Sequence, residues 1–177
     1  MAASSSPGLS LEQLEAEARR RGLLLRLQVS RPLGVAWGLR VGVARPSDPA
    51  RVDGPLVLLG ELKGWALPAV AGLRLDTLRV QGEGTGDVAP LIWGGTFAWA
   101  LAATPCREAT LLAIRDGDRQ HRRLVRYFRQ QGFAPVRELG GGASDLAPRL
   151  IWGGAGLLMR GSCTEGLGRS GRRLGLC

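Results

Sequence analysis

The chain has 177 residues, 45% of them hydrophobic, and a formal net charge of +9, which fits one domain around a single core. No run approaches the roughly 18 to 20 apolar residues of a membrane span; the longest, around Phe97 to Ala103, is far too short. Cys106, Cys163 and Cys177 lack C-x-x-C or Cys/His spacing, so neither a disulfide framework nor a metal site is indicated. Lys63 is the single lysine, so the positive charge is almost all arginine. That charge reads either as solvated faces or as preparation for an anionic partner, a nucleotide-bearing cofactor or a nucleic acid. With one Tyr and three Phe, the aromatic residues that stack on bases are scarce, and nucleic acid is not favoured. The first residues lack the basic and apolar regions of a secretory signal, which predicts a cytoplasmic protein.

Residues 1–9 are expected to be disordered, and one domain is expected over 10–160. Ser10 and Gln13 form a capping box ahead of a helical stripe of Leu11, Leu14 and Ala18, which Gly22 ends. Strands are predicted from Leu23 to Ser30, Val35 to Ala44 and Leu56 to Trp65. A fourth follows from Leu73 to Val80; strict alternation puts Leu73, Leu75, Thr77 and Arg79 on one face and Asp76, Leu78 and Val80 on the other. A glycine-rich loop, Gln81 to Gly86, comes next. Pro90 and two glycines argue against a long helix over 87–95, and a short one is predicted over Thr96 to Ala103. Thr110 to Ile114 reads as a strand covered on both faces. The turn Asp116-Gly117-Asp118 then leads into a basic amphipathic helix, with Leu124, Val125 and Phe128 inward and Arg119, Arg122, Arg123, Arg126 and Arg129 outward. Gly132 stops that helix and Phe133 folds back. Val136 to Leu139 and Arg149 to Met159 are read as strands, and 161–177 as a flexible basic tail. The pentapeptide Leu91-Ile92-Trp93-Gly94-Gly95 returns as Leu150-Ile151-Trp152-Gly153-Gly154, suggesting two similar bends beside a shared pocket.

The order of elements over Leu73 to Met159 resembles the GNAT-type acyl-CoA N-acyltransferases. It is most similar to a small GNAT-like group from cyanobacteria and plant plastids, through Thr104-Pro105-Cys106-Arg107, Leu111 to Asp116 and Leu124 to Phe128. The resemblance implies an α/β fold: a mixed, mostly antiparallel sheet flanked by helices and splayed between its fourth and fifth strands. It also implies acetyl-CoA as cosubstrate, an amine as acceptor, and a plastid stroma location in a plant or alga. In that family the end of the fourth strand, here Leu78, Arg79 and Val80, holds the pantetheine amides, and a Q/R-x-x-G-x-G/A loop holds the pyrophosphate. Gln81, Gly84 and Gly86 match the loop pattern. A second register places the phosphate turn at Gly94-Gly95-Thr96, where the predicted helix would start, and both stay open.

Aligned on Gly132-Phe133, the family's helix motif puts His121 at an asparagine position and Phe128 at that of the tyrosine acid. The only phenol, Tyr127, is one residue early, about 100° around a helix. Tyr127 as general acid and His121 as base or cofactor contact are the catalytic candidates, and Arg122 and Arg123 are candidate phosphate contacts. Asp76 and Glu61 are the nearby carboxylates; Arg74 and Arg79 make Asp76 an expected ion-pair partner. Two alternatives remain beside acyl transfer: a GNAT scaffold that binds an anionic partner without catalysis, and an RNA-binding role for the arginine helix.

Overall fold

The structure, a computed structural model, describes residues 8–51, 53–81 and 86–176. The elements run α1 (Leu11–Arg20), β1 (Leu24–Ser30), β2 (Trp37–Pro46), β3 (Leu56–Ala66), β4 (Leu73–Val80), α2 (Val88–Ala103), β5 (Glu108–Ile114), α3 (Asp118–Gln130), β6 (Ala134–Leu139), α4 (Leu146–Trp152), β7 (Gly156–Ser162) and α5 (Cys163–Arg173). The strands form one sheet in the order β1-β2-β3-β4-β5-β7-β6. Every neighbouring pair is antiparallel except β4 and β5, which run parallel. This is the expected α/β architecture, a mixed and mostly antiparallel sheet flanked by helices.

The core lies on the sheet face covered by α2. Trp93 of α2 stacks on Phe97 with ring centres 5.7 Å apart and meets Phe128 of α3 edge-on and Phe133 at 5.7 Å. The capping box at Ser10 and Gln13 forms as expected. At the other end of α1, Arg21 pairs with Glu17, bonds the Leu174 carbonyl at 2.7 Å and reaches Asp87 at 2.8 Å. One guanidinium thus ties α1 to the start of α2 and to the turn after α5.

Several sequence expectations are corrected. Residues 87–95 belong to one continuous α2. Pro90 falls in its first turn, where a missing N–H removes no helical bond. Gly94 and Gly95 are contact points: a Cβ on either would lie 3.2–3.3 Å from Leu14 or Leu25 side-chain atoms. In the expected tail, the described residues 161–176 are not free. Ser162 caps α5 by accepting from Glu165 N, and Cys163, Leu167 and Leu174 are buried. A Cβ on Gly166 would come within 2.3 Å of the Phe97 ring, so this glycine admits α5 to the core. At the N-terminus, residues 1–7 lie outside the described residues, and Leu9 packs against the core. The strand predicted over Arg149 to Met159 divides into α4 and β7, with Gly153 left-handed at φ 74° between them.

The alternation of β4 is broken too. Lys63 pairs with Thr77 and Gly64 with Leu75, leaving Asp76 as an extra residue opposite β3. This bulge flips the parity, so Leu73 and Leu75 share the α2 face with Leu78 and Val80. Beyond it β4 and β5 part: their ladder consists of Leu73–Ala109, Arg74–Thr110 and Leu75–Leu111, while both strands continue.

Candidate functional site

The parting of β4 from β5 leaves an open cleft of about 690 Å³ that passes through the sheet. Asp76, Thr77, Leu78 and Val80 form one wall, and Leu112 and Ile114 the other. On the α2 side it is bounded by Ala89, Leu124, Tyr127 and Phe128, on the opposite side by Trp152 and Gly153. The side of Trp152 follows from Arg74, which points away from buried Leu73 and Leu75 and stacks on the Trp152 ring. A recess of about 20 Å³ beneath the cleft is lined in part by Trp93 and Leu62.

The strand edges along the cleft retain free backbone groups, as the antiparallel ladders on their outer sides dictate. Gln81 N–H donates to Leu59 O at 2.8 Å, so Gln81 and, two residues back, Arg79 spend their backbone on β3. The N–H and C=O of Leu78 and Val80 therefore face the gap. On β5, Arg115 N–H donates to Ala155 O at 3.0 Å, which by the same alternation turns Leu112 and Ile114 toward the gap. The Ile114 carbonyl is already engaged, 3.1 Å from His121 Nδ1. A carbonyl only accepts, so Nδ1 carries the proton.

Tyr127 is half-buried on α3 and lines the cleft. Its oxygen accepts a 2.9 Å bond from Trp93 Nε1; since an indole N–H only donates, the phenolic proton is left free to be given elsewhere. Burial raises the phenol's pKa above its ordinary value, only partly offset by the Trp93 bond and the charge of Arg173. The hydroxyl thus stays protonated at neutral pH. Phe128, which the resemblance puts at a tyrosine position, sinks into the aromatic core beside Trp93.

The remaining expected site residues divide. Leu78 and Val80 are on the cleft, whereas the Arg79 and Gln81 backbones are not. Gly84 lies outside the described residues. Gly86 stands two positions before α2, and Ala89 in the first turn of that helix lines the cleft. Gly95 and Thr96 are buried inside α2, and Thr96 Oγ1 donates to Ile92 O at 2.8 Å, so the second register of the phosphate turn is excluded. The helix start on which that register depended falls after Gly86 instead. His121 is buried and does not line the cleft. Arg122 and Arg123 are exposed, and only Arg123 borders a shallow recess beside Leu124 and Tyr127. Asp76 makes no ion pair with a described residue, contrary to expectation. Glu61 is hydrogen-bonded by Arg40, which with Lys63 holds its carboxyl below the usual carboxylate range despite some opposing burial.

Of the repeated pentapeptides, the first is continuous helix and the second ends α4, so they are not similar bends. Their tryptophans nonetheless flank one place: Trp93 at the recess and Trp152 at the outer wall. Leu112, Thr77, Ala89 and Trp152 were not singled out from the sequence, because lining a cleft depends on which strands part. The recurrence of Trp-Gly-Gly was the one local signal pointing at Trp152.

The fold and cleft define a layered α/β protein with a slot where two strands of its sheet part. No helix among the described residues is long and apolar enough to cross a membrane. No protein-family model matches the chain, and no curated protein matches it.

Proposed function

We propose that this is a GNAT-type acyl-CoA-dependent N-acyltransferase that moves an acetyl group from acetyl-CoA to an amine. The observation that carries the reading is the parting of β4 and β5 just past Leu75 and Leu111. A pantetheine arm is a thin chain with two amides, and the free backbone groups of Leu78, Val80 and Leu112 offer it strand-like partners along an apolar slot. The amides at the start of α2 offer a favourable place for its phosphates, and Arg123 adds charge nearby.

In this reading a neutral amine enters from the face of Asp76 and Trp152 and attacks the thioester carbonyl carbon. The C–N bond forms, and the negative charge on oxygen is stabilised by strand N–H groups in the gap. Collapse re-forms the carbonyl and breaks the C–S bond. The leaving thiolate takes the proton of Tyr127, which solvent restores. The new ammonium gives its surplus proton to Asp76, the one carboxylate lining the cleft among the described residues, and thence to water. Calorimetric titration with acetyl-CoA tests the binding step, and release of free thiol in the presence of amines tests transfer. Saturable binding with amine-dependent thiol release is expected; absence of heat at high concentration contradicts the proposal.

One observation favours a second reading, in which an anionic macromolecule such as RNA binds. Arg119, Arg122, Arg123, Arg126 and Arg129 are exposed on α3, and none pairs with a described acidic residue. That reading predicts association that weakens steeply with salt; association unaffected by salt contradicts it.

A further inference from the structure

Across the sheet from α2, the cleft mouth carries a feature that acyl transfer by itself does not require. Among the described residues three buried side-chain nitrogens have no hydrogen-bond partner: Arg74 Nε, Arg149 Nε and Gln131 Nε2. Two of the three belong to Arg74, which stacks on Trp152, and to Arg149, which shares a helix with Trp152. The Arg74 guanidinium carbon lies 5.4 Å from the centre of the Trp152 ring and 5.4 Å from that of Trp65. Arg149 precedes Trp152 by one turn of α4, which puts the two on one side of that helix. Neither arginine is in an ion pair with a described residue.

Unpaired buried donors oppose folding and are uncommon, so each calls for a partner. For Arg74 the kind of partner follows from its setting. Two indoles lie within cation–π distance of it and its Nε is closed off, which leaves the terminal nitrogens to bind, and such an edge is suited to carboxylate or phosphate oxygens. The mouth beside it holds Asp76, whose carboxylate has no described cationic partner, at the bulge where β4 leaves β5. The arrangement is a cation two residues along β4 from an uncommitted carboxylate, stacked on the tryptophan that borders the gap.

We propose that the acceptor is a small amine that also bears an anionic group, a carboxylate or a phosphate. Arg74 and Arg149 hold the anion against Trp152, with the amine directed to Asp76 and the β4–β5 gap. The acceptor role rests on the acyl-transfer reading; the anion site itself does not.

The test is nuclear magnetic resonance of the full ¹⁵N-labelled chain, following arginine Nε–H signals, with that of Arg74 identified by its loss in Arg74→Lys. The sample is titrated with N-acetylglycine, its neutral methylamide and inorganic phosphate, and separately with desulfo-CoA. A saturable shift of Arg74 Nε–H with N-acetylglycine but not the methylamide is expected, and Arg149→Ala should weaken it about tenfold, the size of one charged contact. A response to phosphate exceeding that to N-acetylglycine assigns the anion as phosphate. Equal responses to acid and methylamide, or no response to either anion, overturn the proposal. Desulfo-CoA shifts at Leu78 and Leu112, with Arg74 silent to both anions, leave acyl transfer standing and remove this inference. An Arg74 response without any desulfo-CoA binding keeps the anion site and removes its role in acyl transfer.

Discussion

Tyr127 is where residue chemistry and fold meet most closely. Its oxygen is fixed by Trp93 and its proton is free, so Tyr127→Phe should fold and bind acetyl-CoA yet transfer acetyl about 10²-fold more slowly, the low end for a positioned acid. Steady-state thiol release checks this; an unchanged turnover number would assign the leaving-group proton to another donor. The raised phenol pKa also has a stability consequence. An acid whose neutral form is favoured in the fold contributes stability in full below its unfolded pKa, about 10 for tyrosine, and that contribution is lost as pH rises past it. Denaturant midpoints should therefore fall above pH 10, and fall less in Tyr127→Phe. Burial likewise pushes the Cys163 thiol up to about 12, and Cys106 is fully buried. In a Cys177→Ser chain, a thiol reagent at neutral pH should find almost nothing until denaturant exposes two sulfhydryls.

Among the elements, α5 gives the sharpest pair of expectations. A methyl at Gly166 would collide with the Phe97 ring at 2.3 Å, whereas at Gly168 the nearest atom is the tip of Arg172 at 3.5 Å. Gly166→Ala should cost about 1–3 kcal/mol by overpacking, and Gly168→Ala should stabilise by about 0.5–1 kcal/mol as alanine replaces glycine in a helix. Thermal or urea unfolding of both variants decides; equal small effects would mean that this segment is not packed as a helix. The same element shows why parts of the fold were hidden in the sequence. Glycine and arginine at high density read as a tail, because a glycine admitted for close approach looks like one admitted for flexibility. Pro90 read as a breaker, although in a first turn it costs nothing. Leu150 and Ile151 read as strand, since a short apolar run has no period to distinguish the two states. By contrast, the capping box at Ser10 and the Gly132-Phe133 stop were legible, because both are settled by residues within a few positions.

At the scale of the whole molecule, the mixed, mostly antiparallel sheet and the split between its fourth and fifth strands followed the expected architecture. The residues around the split were legible only in part. Leu78 and Val80 were named through the family resemblance, as the end of the fourth strand. The bulge at Asp76 was invisible, because an extra residue shows itself only against a partner strand, here Lys63 and Gly64. Tyr127 was visible as a phenol, but its direction depended on how α3 settles against Trp93. Arg74, Arg149 and Trp152 come from β4 and α4, so no local pattern could join them. The central claim is that acyl-CoA lies between β4 and β5, and amide nuclear magnetic resonance with coenzyme A tests it most directly. Saturable shifts are expected at Leu78, Val80 and Leu112, larger than those at Arg79 and Gln81, whose backbones face β3. Shifts confined to the arginine face of α3, with the cleft amides unmoved, would contradict it.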